Sequence, residues 1–127
     1  MTEAVWEAVR ARVLALDPVA LAAELVRIPS HPGLERQEEA VVTALEEWFV
    51  AHDVSVVLDR VAPGRPNLLA RVAADLPGRR LLLCGHTDTV GVAGMTRPFE
   101  PAERDGRVYG RGSQDMKGGV AAMIGAA

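Results

Sequence analysis

Cysteine, aromatic residues and strong net charge are all scarce in this chain of 127 residues. Its one cysteine, Cys84, excludes an intrachain disulfide, and its place after three leucines predicts a buried thiol in a reducing, cytoplasmic setting. The net charge is only −3 and the arginines are scattered, which argues against a nucleic-acid-binding surface. No apolar run approaches membrane-spanning length, so we expect no membrane partner. The length fits a single domain.

Three amphipathic helices are predicted in the first half of the chain, over residues 2–16, 17–28 and about 34–52. Asp17 followed by Pro18 is a typical helix start, because the carboxylate can cap the helix and proline suits its first position. The apolar faces consist of Val5, Val9, Val13 and Leu16; of Leu21, Leu25 and Ile28; and of Val41, Leu45, Trp48 and Phe49. Trp6 is also expected in a core.

After residue 53 the pattern changes to short β-rich runs separated by proline and glycine turns, at residues 54–62, 67–74 and 79–85. The last run contains Leu81 to Cys84, four consecutive apolar residues, as expected of an interior strand covered on both faces. A glycine-rich loop follows over 91–114, with one short strand predicted at Arg107–Tyr109, and a helix is expected from Lys117. Helices followed by strands predict an α/β layered fold with ligands at the carboxyl edge of the buried strand.

The predicted interior strand runs directly into His86 and Asp88, two residues apart. Imidazole and carboxylate are common zinc ligands, and a ligating histidine usually donates its other ring proton to a carboxylate or carbonyl. Asp115 lies among glycines that let the backbone bend back to the same edge, and one carboxylate can bridge two metals about 3.5–4 Å apart. Taken separately, His86 is more often a strand-end histidine and Asp115 a helix cap. The ordered combination favours a metal site.

Three segments resemble the signature of a zinc-dependent metallopeptidase and deacylase family: GHTDTV at 85–90, PFEP at 98–101 and DGRVYGRGSQDMKGG at 105–119. The family includes acetylornithine deacetylase, succinyl-diaminopimelate desuccinylase, carboxypeptidase G and aminoacylase. Looser similarity in LVRIPS at 25–30 and RPNLLARV at 65–72 extends the resemblance over essentially the whole chain. It implies that residues 1–127 form part of a mixed-sheet, zinc-exopeptidase-like catalytic domain with flanking helices.

The resemblance also implies residue roles. His86 matches the family histidine that ligates one zinc, Asp88 the catalytic-site aspartate that supports it, and Asp115 the aspartate that bridges both metals. Two zinc ions are implied for a complete site, with cobalt as an alternative metal, and the Asp115–Met116 peptide matches a position that tends to be cis. Residues 95–97 depart from the family, since many relatives carry tryptophan before the PF segment.

Other parts of the family's site correspond to positions beyond residue 127. These are the general-base glutamate, its neighbouring acidic ligand, and a later acid and histidine; after Asp115 this chain contains neither an acid nor a histidine. His86 and Asp115 provide at most two ligands, whereas a catalytic zinc normally has three from the protein plus water. We therefore expect an apparently truncated N-terminal portion that is inactive alone and binds zinc weakly.

The implied activity is hydrolysis of an amide bond of an N-acyl amino acid or small peptide by metal-activated water. The alternative is a non-catalytic remnant, or a split-enzyme module whose partner chain supplies the remaining ligands. The expected partners are thus the small-molecule substrate and either a second copy of the chain or a missing C-terminal half. A nucleotide-binding loop is disfavoured, because Lys117 is followed by Gly118 rather than by serine or threonine.

Overall fold

The computed structural model describes residues 2–15, 17–73 and 75–127. Over these residues it contains four α-helices, α1 Glu3–Ala15, α2 Pro18–Arg27, α3 Glu39–Ala51 and α4 Gly118–Ala126. Strands β1 Ser55–Ala62 and β2 Arg65–Arg71 form one antiparallel hairpin, and β3 Ala102–Arg104 and β4 Arg107–Tyr109 form another. Helices and small sheets give the predicted α/β arrangement. Leu16 and Ala74, which the predicted elements included, lie outside the described residues.

Helix α2 begins as its sequence predicts. Asp17 Oδ1 accepts hydrogen bonds from the backbone N–H groups of Val19 and Ala20, at 3.1 and 3.0 Å, and Pro18 takes the first helical position. The helix ends at Arg27, because Ile28 precedes a proline and takes an extended conformation. Helix α3 starts later than predicted, since residues 32–38 form turns instead.

The core lies between α2, α3, α4 and the β1–β2 hairpin. Its buried apolar residues are Ala22, Leu25 and Val26 of α2; Val41, Val42, Leu45 and Phe49 of α3; and Val120, Ala121 and Ile124 of α4. Alternate hairpin residues pack against this cluster, including Val56, Leu58, Leu68 and Ala70. Helix α2 lies against α4, and α3 covers the hairpin. The C-terminal end of α2 is thereby fixed in the best-packed part of the described chain.

The predicted interior strand over residues 79–85 is wrong. This segment joins neither hairpin of the described chain, and Leu81, Leu82 and Leu83 are 84%, 77% and 46% exposed. Cys84 is exposed as well, so the predicted buried thiol is also wrong. A strand needs neighbours to take its backbone hydrogen bonds and cover its faces. Each hairpin here uses its own partner strand, and neither offers one to this run.

Helix α1 forms as predicted, but its apolar face is not buried. Val5, Trp6, Val9 and Val13 are all 42–55% exposed, so the expectation that Trp6 lies in a core is wrong. Helical periodicity specifies which residues share a face and leaves open what that face packs against. Of the helices in the described ranges, none combines the length and apolar character needed to cross a membrane.

The glycine-rich loop contains more structure than its sequence predicts. The strand expected at Arg107–Tyr109 is present as β4, paired with the unpredicted strand β3. Asp105 and Gly106 connect them, with φ values of 53° and 68°, as a tight hairpin turn requires. A turn at Ser113–Lys117 then leads into α4, and the Asp115–Met116 peptide within it is cis, as the resemblance implies.

Candidate metal centre

The side chains predicted to form a metal site lie together. His86 Nε2 is 2.9 Å from Oδ1 of Asp115, which is 29 residues further along the chain. The other ring nitrogen of His86, Nδ1, lies 3.1 Å from the backbone oxygen of Asp88 and 3.2 Å from its Oδ1. Asp88 and Asp115 therefore contact opposite sides of one imidazole. A metal bound through Nε2 would leave the contact with Asp88 in place.

The site is open to solvent. The side chains of His86 and Asp88 are about half exposed, at 44% and 45%, and that of Asp115 is 83% exposed. Burial acts to lower the pKa of His86, but the backbone hydrogen bond with Asp88 and the hydrogen bond and charge of Asp115 outweigh it, so the pKa is raised above its ordinary value. The two carboxylates make this surface attractive to a cation.

The segment that carries His86 and Asp88 is hydrogen-bonded to Ser30, three residues after the end of α2. Ser30, which is fully buried, donates from Oγ to the carbonyl of Thr87 at 2.7 Å. Its own carbonyl accepts from the N–H of Thr89 at 2.9 Å. These two hydrogen bonds flank Asp88 and hold an extended segment that belongs to neither sheet.

The segment that carries Asp115 approaches its neighbours closely because it contains glycine. A Cβ atom on Gly112, whose φ is 81°, would lie 2.6 Å from Cγ2 of Thr89. A Cβ atom on Gly110, whose φ is 152°, would lie 2.5 Å from Cγ1 of Val26. Real side chains do not sit this close to other carbon atoms, so glycine is required at both positions. These contacts bring the second segment against the first and against α2.

Lys117 is the functional-site neighbour that the sequence does not reveal. Its side chain is fully buried, and Nζ donates to the carbonyls of Leu25 at 2.9 Å and Ile28 at 2.6 Å. Desolvation by burial lowers its pKa to about 8. In the sequence, Lys117 is a single lysine at the start of the apolar helix α4, and a lysine at such a position is ordinarily expected to be solvated. Only the fold shows that the carbonyls at the end of α2 receive it.

The donors present suit part of a zinc site. Tetrahedral zinc with bonds of about 2.0–2.1 Å holds neighbouring ligand atoms about 3.3 Å apart, within a few tenths of an ångström of the Nε2 to Oδ1 separation. Across the described ranges, no group of three or more histidine, cysteine, aspartate or glutamate side chains is placed to hold a metal. His86 and Asp115 thus provide two donors of the right type, one fewer than a catalytic zinc takes from its protein.

Comparison with known proteins gives the family to which this fold belongs. Residues 82–127 match the model of Peptidase family M20/M25/M40, a range that contains His86, Asp88 and Asp115. The chain belongs to this family.

Proteins similar to the chain carry two names. A succinyl-diaminopimelate desuccinylase of Gluconacetobacter diazotrophicus is 44% identical over 110 residues, which are 84% of this chain and 28% of that protein. Another, from Cereibacter sphaeroides, is 42% identical over 117 residues, 88% of this chain and 30% of its own length. An acetylornithine deacetylase of Vibrio vulnificus is 39% identical over 92 residues, 70% of this chain and 24% of its own. The chain therefore spans less than a third of the length of these relatives.

Proposed function

We propose that this chain forms the N-terminal portion of the catalytic domain of a two-zinc amidohydrolase. The observation that carries the proposal is the contact between His86 Nε2 and Asp115 Oδ1, at 2.9 Å, within the segment that matches the family. Two residues 29 apart in sequence present a nitrogen and an oxygen donor at one solvent-accessible point. An ion pair with only a structural role would not require the two segments to approach as closely as they do at Gly110 and Gly112.

Each of the three residues has a distinct role. His86 would hold one metal through Nε2, and Asp115 would hold metal through its carboxylate. Asp88 accepts a hydrogen bond from Nδ1–H and so fixes the ring orientation that leaves Nε2 free to bind. Zinc, or cobalt in its place, would polarise the scissile carbonyl and lower the pKa of a bound water. The exposure of Asp115 leaves room for substrate and for further ligands.

The proposed substrate is an N-acyl amino acid or small peptide whose amide bond is cleaved. The names of the relatives support this class, since a desuccinylase and a deacetylase both remove an acyl group from an amino-acid derivative. The two names differ in the acyl group that is removed. A cytoplasmic location is part of the proposal, because the lone Cys84 forms no intrachain disulfide.

On its own the chain should bind metal weakly and should not turn over substrate. Two ligands are one short of a catalytic zinc site, and no acid after Asp115 is available as a general base. A C-terminal portion, or a second copy of the chain, would have to supply the missing groups. The exposed Leu81–Leu83 run favours a second candidate function, a non-catalytic or split-enzyme module completed by a partner chain.

Zinc titration by calorimetry tests the ligand assignment. We expect the chain to bind zinc far less tightly than the roughly 10–16 kcal/mol of structural zinc sites, and expect binding to be lost in His86→Ala and in Asp115→Ala. His31→Ala is the matched control, because His31 stacks on Phe99 and contacts neither ligand. Equal zinc binding by all four proteins would refute the assignment.

Activity tests the reaction class. In any form of the protein that contains the downstream part of the domain, Asp115→Ala should abolish release of the acyl group from N-acyl amino acids. Retained turnover in that variant would refute the two-metal mechanism. Tight one-to-one zinc retention through dialysis by the 127-residue chain, together with deacylase turnover, would show instead that the chain is active without a partner.

A further inference from the structure

We propose that residues 25–30, the last residues of α2 and the three that follow it, set the distance between the two parts of the metal centre. The histidine arm, residues 86–89, is held there by Ser30. The aspartate arm, residues 112–117, is held there by Lys117. Both are positioning residues, since neither contacts a reacting atom. The inference rests on the proposed function only in treating His86 and Asp115 as ligands.

The histidine arm is held by Ser30 through two hydrogen bonds to its backbone. Ser30 is fully buried and makes one hydrogen bond on each side of Asp88, to the carbonyl of Thr87 and from the N–H of Thr89. Because the residues on both sides of Asp88 are hydrogen-bonded to Ser30, this segment cannot shift relative to Ser30 without breaking one of the two bonds. The orientation of His86 and Asp88 is therefore set relative to the end of α2.

The aspartate arm depends on Lys117, two residues after Asp115. Burying an ammonium group is costly unless it is well satisfied, and Lys117 forms no ion pair with any acid of the described chain. Instead it donates to the carbonyls of Leu25 and Ile28, which lie at the partially negative end of α2; the Leu25 carbonyl also accepts from the N–H of Ile28 at 3.2 Å. One side chain thus caps α2 and fixes the aspartate arm.

The hydrogen bonds of Ser30 and of Lys117 are the two anchors of the arms, and both are made within six consecutive residues, 25–30. Leu25 and Val26 are 2% and 0% exposed and pack in the core, which makes this end of α2 a rigid reference. His86 and Asp115 are then each a few bonds from the same short segment, and the 2.9 Å between them follows from the two attachments. A site on irregular backbone needs such support from a rigid element.

The test uses two variants, each of which removes the side-chain hydrogen bonds of one anchor, with matched controls. Lys117→Met removes the ammonium and keeps an unbranched side chain, and Ser30→Ala removes the hydroxyl. Lys117→Arg keeps a cationic donor at the same position. Thr43→Ala is the matched hydroxyl control, because it removes a hydrogen bond to the carbonyl of Glu39, at 2.9 Å, that lies within α3 and outside both arms.

Two measurements are made on each protein. The first is the ring nitrogen and proton spectrum of the three histidines in the metal-free chain, in which His31 and His52 serve as internal references remote from the site. The second is the affinity for cobalt(II), followed through its visible absorption. Urea unfolding establishes that each variant is folded under the conditions used.

We expect Lys117→Met and Ser30→Ala to shift the His86 ring signals toward those of a solvated histidine, with His31 and His52 unchanged. Cobalt affinity should fall at least tenfold in both, recover in part in Lys117→Arg, and stay the same in Thr43→Ala. If Lys117→Met does not fold, Ser30→Ala and Lys117→Arg decide the question by the same measurements.

Unchanged His86 signals in folded variants would overturn the inference and leave Lys117 and Ser30 as stabilising residues only. Failure of the proposed function would be distinguishable from this outcome. In that case the wild-type chain would bind no cobalt, while the histidine spectra of the metal-free proteins would still report whether the two anchors hold the arms.

Discussion

Two apolar stretches of this chain differ in their exposure to solvent. In α2, Leu25 and Val26 are 2% and 0% exposed, whereas Leu81 and Leu82, in the longer apolar run, are 84% and 77% exposed. The α2 residues recur at helical spacing, and α4 lies against the face that they form. Among the residues that the structure describes, no strand neighbours the leucine run. Hydrophobic content alone does not bury a segment; a matching surface must exist to receive it.

The largest expected effect is a difference in the free energy of unfolding between variants of these two stretches. Leu25→Ala should lower the free energy of unfolding by about 2–5 kcal/mol, because it removes buried methyl groups and leaves a cavity. Leu82→Ala should change it by no more than about 0.5 kcal/mol, as is usual for exposed positions. Urea unfolding of both variants at one temperature measures the difference. Similar losses for the two would mean that the leucine run is packed in solution, and the contrast drawn here would fail.

An intermediate effect is expected where the two arms of the site meet. Gly112→Ala should cost about 1–3 kcal/mol, because its φ of 81° disfavours a side chain and the new Cβ would meet Cγ2 of Thr89. Gly91→Ala is the control, since its Cβ would have open space around it. Unfolding free energies again provide the measurement.

A double variant sharpens this prediction. Adding Thr89→Ser to Gly112→Ala removes the methyl group that the new Cβ would meet, so part of the loss should be recovered and the backbone part should remain. Full recovery would mean that the positive φ costs nothing, and no recovery would mean that the close approach is not what the alanine disturbs.

Sequence reasoning succeeds where the cause is local or where a motif is long. The start of α2 follows from Asp17 and Pro18, whose capping chemistry needs no tertiary partner. The meeting of His86 and Asp115 is suggested by two ordered motifs, although the 2.9 Å contact itself requires the fold. The strand at Arg107–Tyr109 was likewise indicated by its turn and its β-prone residues.

Sequence reasoning fails where the outcome depends on a surface elsewhere in the chain. The exposure of Leu81–Leu83 depends on the absence of a neighbouring strand in the described chain, and the exposure of Trp6 on what lies beside α1. The burial of Lys117 depends on two carbonyls some 90 residues away, at separations of 92 and 89. No pattern around any of these residues encodes those distant surfaces.

The smallest expected effect is electrostatic and lies inside the well-packed region. Glu39, at the start of α3, accepts hydrogen bonds from Arg36 at 3.0 Å and from Arg60 of β1 at 3.1 Å. The hydrogen bond from Arg36 is the main cause that holds the pKa of Glu39 below its ordinary value of 4.5. A carboxylate with a lowered folded-state pKa contributes stability above its unfolded pKa, and that contribution is lost as the pH falls through the folded value.

Glu39→Gln should therefore be slightly less stable than the wild type at about pH 7, and the difference should shrink toward about pH 3, as protonation of the Glu39 carboxylate removes its charge. It should also shrink in high salt, since both arginines are exposed and screened. Unfolding midpoints at the two pH values measure it. A difference that persists in acid would point to lost packing rather than lost charge. Even the two ion pairs of Glu39, one of which joins α3 to β1, should thus contribute less than one buried leucine, because in this chain stability depends on which apolar faces are packed against a partner surface.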